Sequence, residues 1–228
     1  KLRVVAEFSH QNSENVWVKC RLESDLMTKS GEIFGEPTIH HNGLVRMLKR
    51  DADRGLLKLP SIGTPSRGGV VLGSDFVYQR FFHGPRFQSH GGILGGCSID
   101  DMFGADGIAL SRHQLANTNQ FSVGDVTLEA QPMLIEACFQ NAGMVAMEID
   151  GLQSLPVGIE MLELIRVPEK TDSLRMRAVR RGAEDGGVTI HDCLVVDQDG
   201  KPVVSIKGLR LKGMAPISED DSFSLNRN

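Results

Sequence analysis

The stretch Gln131-Pro-Met-Leu-Ile-Glu-Ala-Cys-Phe-Gln140 opens the clearest helical pattern of this 228-residue chain. Apolar residues recur at positions 134, 135, 138, 139 and 142, which is the spacing of one stripe along a helix. Proline is favoured in the first helical turn, where a backbone N–H would have no partner within the helix. The pattern predicts a helix over residues 132–147, and we expect it to be the only long one.

Glu136 is an acidic residue inside this apolar run, and Gln140 follows it by one turn on the same helical face. Burial of a carboxylate among apolar side chains is costly unless the group is paired or used. One interpretation is a general acid on a helix that enters an apolar pocket. The other is a solvent-facing Glu near the positive end of the helix dipole. The helix alone leaves both open.

Most of the remaining chain has the patterns of strands. Alternation of apolar and polar residues, or strand-length apolar runs between turn signals, predicts strands over residues 2–8, 16–22, 38–48, 107–113, 120–129, 157–166, 173–180, 188–197 and 202–212. The glycine-rich residues 91–96 are expected in a flexible loop or a strand bulge. One long helix among antiparallel strands indicates an α+β fold in which a sheet wraps around a central helix.

The domain organisation follows from two shifts in composition. A charged stretch and a region rich in Pro, Gly and Ser predict a linker over residues 51–69. It separates a first strand-rich lobe, residues 1–50, from a second lobe, residues 70–216. The polar residues 217–228 are expected to be a frayed tail.

Composition argues against several classes of protein. The net charge is −4 and the basic residues are scattered, which argues against a nucleic-acid-binding surface. No apolar run approaches the length of a membrane span. The four cysteines lie far apart, which predicts free thiols in a reducing compartment and hence a cytoplasmic location. The spacing of candidate ligands supports no metal site.

Four segments of the second lobe, in this order, resemble the C-terminal half of polyketide-synthase dehydratase domains. They are His83-Gly-Pro-Arg-Phe-Gln88, which is similar to the family's Y-G-P-x-F-Q turn; Gln131 to Gln140, similar to its H-P-x-L-L-D-A-x-x-Q helix start; Leu155-Pro156-Val157, similar to its L-P strand; and residues 199–211, similar to its last hairpin. The form of these motifs, with Glu rather than Asp in the helix, resembles that of multifunctional fatty-acid or polyketide synthases, including the synthases of polyunsaturated fatty acids.

The resemblance implies a double hot-dog fold, in which two sheets each wrap a long helix. Residues 1–50 look like only the last strands of an N-terminal hot dog, so that half is expected to be truncated. The family removes water from 3-hydroxyacyl chains on acyl carrier protein, and it requires no cofactor beyond the carrier's phosphopantetheine. The implied partners are the carrier protein and neighbouring synthase domains, with a homodimer left open.

The resemblance also implies roles for particular residues. Glu136 stands where the family has the Asp that protonates the departing hydroxyl, and Gln140 where Gln or His orients that acid. His83 replaces the Tyr of the turn and is the best candidate for a base within this chain. The implied substrate-binding residues are Gly84, Pro85, Phe87, Leu155 and Pro156.

The largest departure from the family is the absence of its base motif, H-x-x-x-G-x-x-x-x-P. Either the chain is a fragment that lacks this segment, or the domain lost its base. His90, His113 and His191 are expected at the surface or in strands. Three functions therefore stay open: a 3-hydroxyacyl dehydratase, a non-catalytic acyl-binding or scaffolding domain, and a double-bond isomerase that needs a single acid–base group.

Overall fold

The computed structural model describes residues 2–48, 63–65, 68–84, 87–110, 122–123, 126–127, 131–166, 168, 173–218 and 223–225. The chain divides into two compact units, Lys1–Leu57 and Lys58–Asn228. None of the described helices is long and apolar enough to cross a membrane.

The first unit contains a three-stranded antiparallel sheet of β1 (Leu2–Gln11), β2 (Asn15–Ser24) and β3 (Thr38–Leu48), in that order. The side chain of Asn12 closes the first turn by accepting hydrogen bonds from the backbone N–H groups of residues 14 and 15. This hairpin connection is shorter than the polar tract suggests, because β1 extends through residue 11.

The two faces of this small sheet differ in character. Glu23 accepts hydrogen bonds from Arg3 and from Arg21 on one face. Phe8 and Val45 lie on the opposite face, in line with Val18 across the three strands, and both are exposed. Residues 2–48 contain no helix that could cover this apolar face, as expected for a truncated hot dog.

The second unit is built on a seven-stranded antiparallel sheet. Its strands are β4 (Leu72–Gly73), β5 (His90–Ile99), β6 (Met102–Ala109), β9 (Leu152–Leu164), β10 (Leu174–Glu184), β11 (Val188–Val196) and β12 (Pro202–Pro216), in the order β4-β5-β6-β10-β11-β12-β9. The short strands β7 (Ser122–Val123) and β8 (Val126–Thr127) pair with each other. Consecutive strands β10, β11 and β12 are neighbours, since turns at 185–187 and 197–201 join them.

The two helices of the described chain are α1 (Ser74–Tyr78) and α2 (Gln131–Asp150). Three residues of the predicted stripe of α2, Leu134, Cys138 and Ala142, have no exposed surface, and the other two, Ile135 and Phe139, are partly buried. They join a core that includes Met176, Ile206 and Leu209 of the sheet. The prediction of one long helix against an antiparallel sheet is therefore confirmed, although α2 extends beyond both predicted ends.

Several predicted strands are shifted. The glycine-rich residues 91–96 belong to β5, which has bulges next to Gly92 and Gly95. Gly92 has φ +126°, and a Cβ there would lie 2.9 Å from the carbonyl oxygen of Leu72, so the close approach of β4 requires glycine. β6 begins and ends earlier than predicted, and residues 111–121 lie outside the described part.

Two further differences concern the end of the sheet and the end of the chain. β9 includes Pro156, which is tolerated because β9 is an edge strand that pairs on one side only. In the predicted tail, Phe223 packs edge-on against Phe76 and Leu225 is buried. Residues 223–225 are therefore not frayed, because their apolar side chains complete the core.

Candidate active site

The turn that begins at His83 follows α1, and it places His83 against Glu136 in the second turn of α2. Phe81 packs against the helix at Gly143, where a Cβ would come within 2.9 Å of the phenyl ring. The ring of Phe81 meets His83 edge-on at 5.4 Å, and that of Phe82 stacks on it at 5.1 Å. The imidazole is thus held between two aromatic rings.

His83 and Glu136 are in direct contact. The Nε2 atom of His83 lies 2.8 Å from Oε1 of Glu136, and the two side chains are 18% and 21% exposed. The Nε2 atom of Gln140 donates a hydrogen bond to the same Oε1 over 3.1 Å. No described residue hydrogen-bonds Oε2 of Glu136. The structure therefore brings the three predicted catalytic residues together around one carboxyl oxygen.

Gln140 is buried and makes hydrogen bonds with both ends of its amide. Its Nε2 also donates to the carbonyl oxygen of Phe87 over 2.7 Å, and its Oε1 accepts from Tyr78 and, more weakly, from Ser89. The opposite amide orientation would place two carbonyl oxygens against each other at residue 87. The amide therefore presents its N–H group to Glu136.

Tyr78 joins this network to strand β5. Its hydroxyl accepts a hydrogen bond from the backbone N–H of His90 over 2.6 Å and donates to Gln140 over 3.0 Å. Burial raises the pKa of Tyr78 to about 12, and the negative charge of Glu136 adds to the rise. Tyr78 thus stays a neutral hydrogen-bond donor across the physiological range.

His90 and Asn141 form a second polar cluster, which is joined to the first by the hydrogen bond from the backbone of His90 to Tyr78. The Nδ1 atom of His90 accepts a hydrogen bond from the backbone N–H of Gly92, so the ring proton is on Nε2, which faces Asn141 Oδ1 at 3.2 Å. Asn141 in turn donates to the carbonyl oxygen of Ala105. Burial lowers the pKa of His90 to about 4, which keeps the ring neutral. Both ring nitrogens are used, so His90 is a structural residue.

The predicted substrate-binding residues fall into two groups. The carbonyl of Phe87 belongs to the Gln140 network, and the side chain is 46% exposed beside the exposed Gly84. Pro85 lies outside the described residues. Leu155 and Pro156 are on β9, at the far edge of the sheet from β4 and β5. No described contact joins them to Glu136, and their role stays a prediction.

A cleft of about 400 Å³ lies elsewhere in the second unit. It is lined by Thr64, Pro65, Ser173, Arg175, Val196, Asp197, Gln198, Asp199 and Gly200, none of which belongs to the Glu136 cluster. Its walls are mostly polar and carry the paired carboxylate of Asp197, which does not suit an acyl chain.

Sequence reasoning missed Tyr78 and Ser89. The available signal for Tyr78 was its uniqueness, because it is the chain's single tyrosine and lies just before a turn that lacks the family's tyrosine. Nothing in the local sequence marks Ser89.

Comparison with known proteins agrees with this architecture. Residues 71–216 match the family model described as the polyketide synthase dehydratase N-terminal domain. No curated protein matches the chain. The description refers to the N-terminal domain, whereas the motifs of the second lobe resemble the C-terminal hot dog.

Solved structures of dehydratase domains have a similar fold. The domain from the CurF module of curacin polyketide synthase has a TM-score of 0.58 at 16% identity, over 94% of this chain and 69% of that one. An inactive CurJ dehydratase with a His→Phe substitution, in complex with a compound, has a TM-score of 0.57 at 14% identity, with coverages of 93% and 68%. An inactive CurK dehydratase with an Asp→Asn substitution has 0.54 at 18%, with coverages of 94% and 69%.

This chain spans about two thirds of the length of each of these dehydratase domains, which fits a double hot dog with a truncated half. The family model spans more than half of the chain, and the fold is similar to that of solved dehydratase domains. This chain belongs to the polyketide synthase dehydratase family.

Proposed function

We propose that the domain removes water from 3-hydroxyacyl chains carried on acyl carrier protein, as part of a multifunctional fatty-acid or polyketide synthase. The observation that carries this proposal is the environment of Glu136. Nε2 of His83 and Nε2 of Gln140 both lie within hydrogen-bond distance of one oxygen of its carboxyl group, and the other oxygen is accessible and has no described partner. A carboxyl group held in this way can present its proton to a substrate hydroxyl.

Dehydration also requires a base at the α-carbon. The inactive forms of CurJ and CurK dehydratases, with a His→Phe and an Asp→Asn substitution, support a mechanism that uses both residue types. Glu136 corresponds in type to the acid. We propose that the base is a histidine outside the Glu136 cluster, within a first hot dog of which residues 1–50 are a part, and that the second lobe is the C-terminal hot dog.

The proposed partners are the carrier protein and neighbouring synthase domains. The reaction is an acid–base elimination, so the proposal includes no bound cofactor and no metal. A cytoplasmic location fits the four free cysteines.

The test compares the 228-residue chain with a longer form that includes any residues preceding Lys1 in the parent protein. The substrate is a 3-hydroxyacyl thioester of phosphopantetheine, and the product is the 2-enoyl thioester. A general base contributes roughly 10² to 10⁴ in rate. We expect little or no turnover by the 228-residue chain and robust turnover by the longer form. Robust turnover by the 228-residue chain would place the base within it.

Two other functions each have one observation in their favour. No described histidine in the second unit has a ring nitrogen that is both accessible and unbonded, which favours a non-catalytic acyl-binding or scaffolding domain. The accessible oxygen of Glu136 favours an isomerase that moves one proton along an enoyl chain. Conversion of a 2-enoyl to a 3-enoyl thioester without dehydration would identify the isomerase, and binding without any turnover the scaffold.

A further inference from the structure

We infer that His83 is a positioning residue that fixes which oxygen of Glu136 carries the acidic proton, and that it is not the base of the reaction. This inference rests on the proposed dehydration. It concerns the position at which the family's turn has tyrosine and at which this chain has histidine.

The first argument is the use of the two ring nitrogens. Nε2 of His83 lies 2.8 Å from Oε1 of Glu136, and Nδ1 is buried without a hydrogen-bond partner among the described residues. A base must direct an unshared electron pair at the substrate. Neither nitrogen can do so, because one faces Glu136 and the other is enclosed.

The second argument concerns the ring proton. A proton on Nδ1 would be a buried N–H group without an acceptor, which folded proteins avoid. A proton on Nε2 is instead donated to Oε1 of Glu136 at an ordinary distance. The contacts therefore favour the neutral ring with its proton on Nε2.

The third argument is that Oε1 of Glu136 accepts two hydrogen bonds, from His83 and Gln140. An oxygen that accepts two N–H donors is the carbonyl oxygen of a carboxylic acid or one oxygen of a carboxylate. The acidic proton is consequently placed on Oε2, the accessible oxygen. After the proton has left, the same two donors stabilise the carboxylate.

The elimination can be written with His83 unchanged. The Oε2–H bond of Glu136 breaks and its proton goes to the β-oxygen of the substrate. The Cβ–O bond breaks and water leaves with the electron pair. The α-proton goes to the separate base, and the electrons of that C–H bond form the new double bond. His83 keeps its proton throughout.

The charged and titratable groups that face His83 are few. Glu136 of α2 is in contact with it, and Tyr78 of α1 lies behind Gln140 as a neutral hydroxyl. His90 of β5 is buried and neutral. Among the described residues no cation contacts the ring, so the hydrogen bond to Glu136 dominates its orientation.

The experiment compares His83→Gln, His83→Tyr and His83→Phe in the longest active form of the protein. Gln and Tyr keep a donor for Oε1 but cannot act as an imidazole base, and Phe keeps the shape without a donor. We expect kcat of the Gln or Tyr variant to stay within about tenfold of wild type and that of the Phe variant to fall at least about 100-fold, with KM little changed. Equal loss in all three would identify His83 as the base and overturn the inference.

A second measurement does not depend on turnover. Nitrogen-15 NMR of the histidine rings, with His83 assigned by its absence in His83→Gln, reports which nitrogen carries the proton. We expect Nε2–H in the wild-type chain and a changed signal in Glu136→Gln. If dehydration is absent but Nε2–H is found, the proposed function fails, and with it the role in dehydration, whereas the hydrogen bond from His83 to Glu136 stands. A proton on Nδ1 would overturn the positioning role.

Discussion

Tyr78 donates a hydrogen bond to Oε1 of Gln140 over 3.0 Å, although 62 positions separate the two residues in the sequence. The same hydroxyl accepts from the backbone of His90. Tyr78 thus links the backbone of strand β5 to the side-chain amide of Gln140, which in turn donates a hydrogen bond to Glu136. The orientation of the candidate acid therefore depends on a residue outside the helix that carries it.

The first prediction concerns the titration of Tyr78. The chain has one tyrosine, so its ultraviolet titration in the folded protein reports this residue alone. We expect a pKa of about 12, above the ordinary value of 10.0, because burial disfavours the phenolate. Since the folded pKa is raised, the stabilisation is complete below pH 10 and is lost as the pH rises from 10 to about 12. A folded-state titration near 10 would show that the hydroxyl is in solvent.

Tyr78→Phe should lower the free energy of unfolding by about 1–3 kcal/mol, because the backbone N–H of His90 loses its acceptor. Loss of the donor to Gln140 should also lower kcat more than it raises KM. Urea unfolding and steady-state kinetics measure the two effects. Met214→Leu, at an exposed residue of β12 outside the hydrogen-bond network, is the control for stability. Unchanged stability in Tyr78→Phe would contradict the bridge.

The third prediction concerns acid sensitivity. Burial depresses the pKa of His90 from 6.5 to about 4, so its contribution to stability is present above pH 6.5 and is lost as the pH falls towards 4. The full effect is on the order of 3 kcal/mol. His191 has the same sign, with a pKa of about 3 from burial and from the charge of Arg180.

Urea unfolding at several pH values should therefore show a shallower loss of stability in His90→Gln than in wild type between pH 6.5 and 4. The slope is compared rather than the absolute stability, since the substitution also alters the bonds to Gly92 and Asn141. Identical slopes would mean that His90 is protonated in the folded state near its ordinary pKa.

Gly143→Ala should destabilise the second unit even though alanine favours a helix. The new Cβ would lie 2.9 Å from Phe81, and overpacking of this kind costs about 1–3 kcal/mol against a gain of about 1 kcal/mol in helix propensity. Because Phe81 packs against His83, turnover should also fall. Gly182→Ala is the control, since a Cβ there meets nothing within 4 Å. Equal stability of the two variants would contradict the close packing.

The parts of this molecule that follow from local pattern could be predicted from its sequence. The stripe of α2 and the alternation in β2 are set by which side chains must be buried, so their positions were close to those observed. The contact of His83 with Glu136 was not derivable from spacing, because it depends on a turn that folds back over the helix.

Features that depend on strand order could not be predicted. Leu155 follows the helix closely in sequence, yet β9 pairs with β12 and lies at the far edge of the sheet. Leu225 likewise makes long-range contacts: its side chain is buried in the core, and its carbonyl oxygen accepts a hydrogen bond from the backbone N–H of Gly96. Long-range pairings of this kind leave no periodic signal in the residues themselves.

The central claim is that Glu136 donates the proton to the departing hydroxyl, and Glu136→Gln tests it most directly. In the longest active form, kcat for loss of water from a 3-hydroxyacyl phosphopantetheine thioester should fall roughly 10²- to 10⁴-fold, because the amide cannot supply a proton. Glu160→Gln, at an exposed carboxylate of β9, should be unaffected. Turnover by Glu136→Gln equal to that of wild type would remove Glu136 from the mechanism.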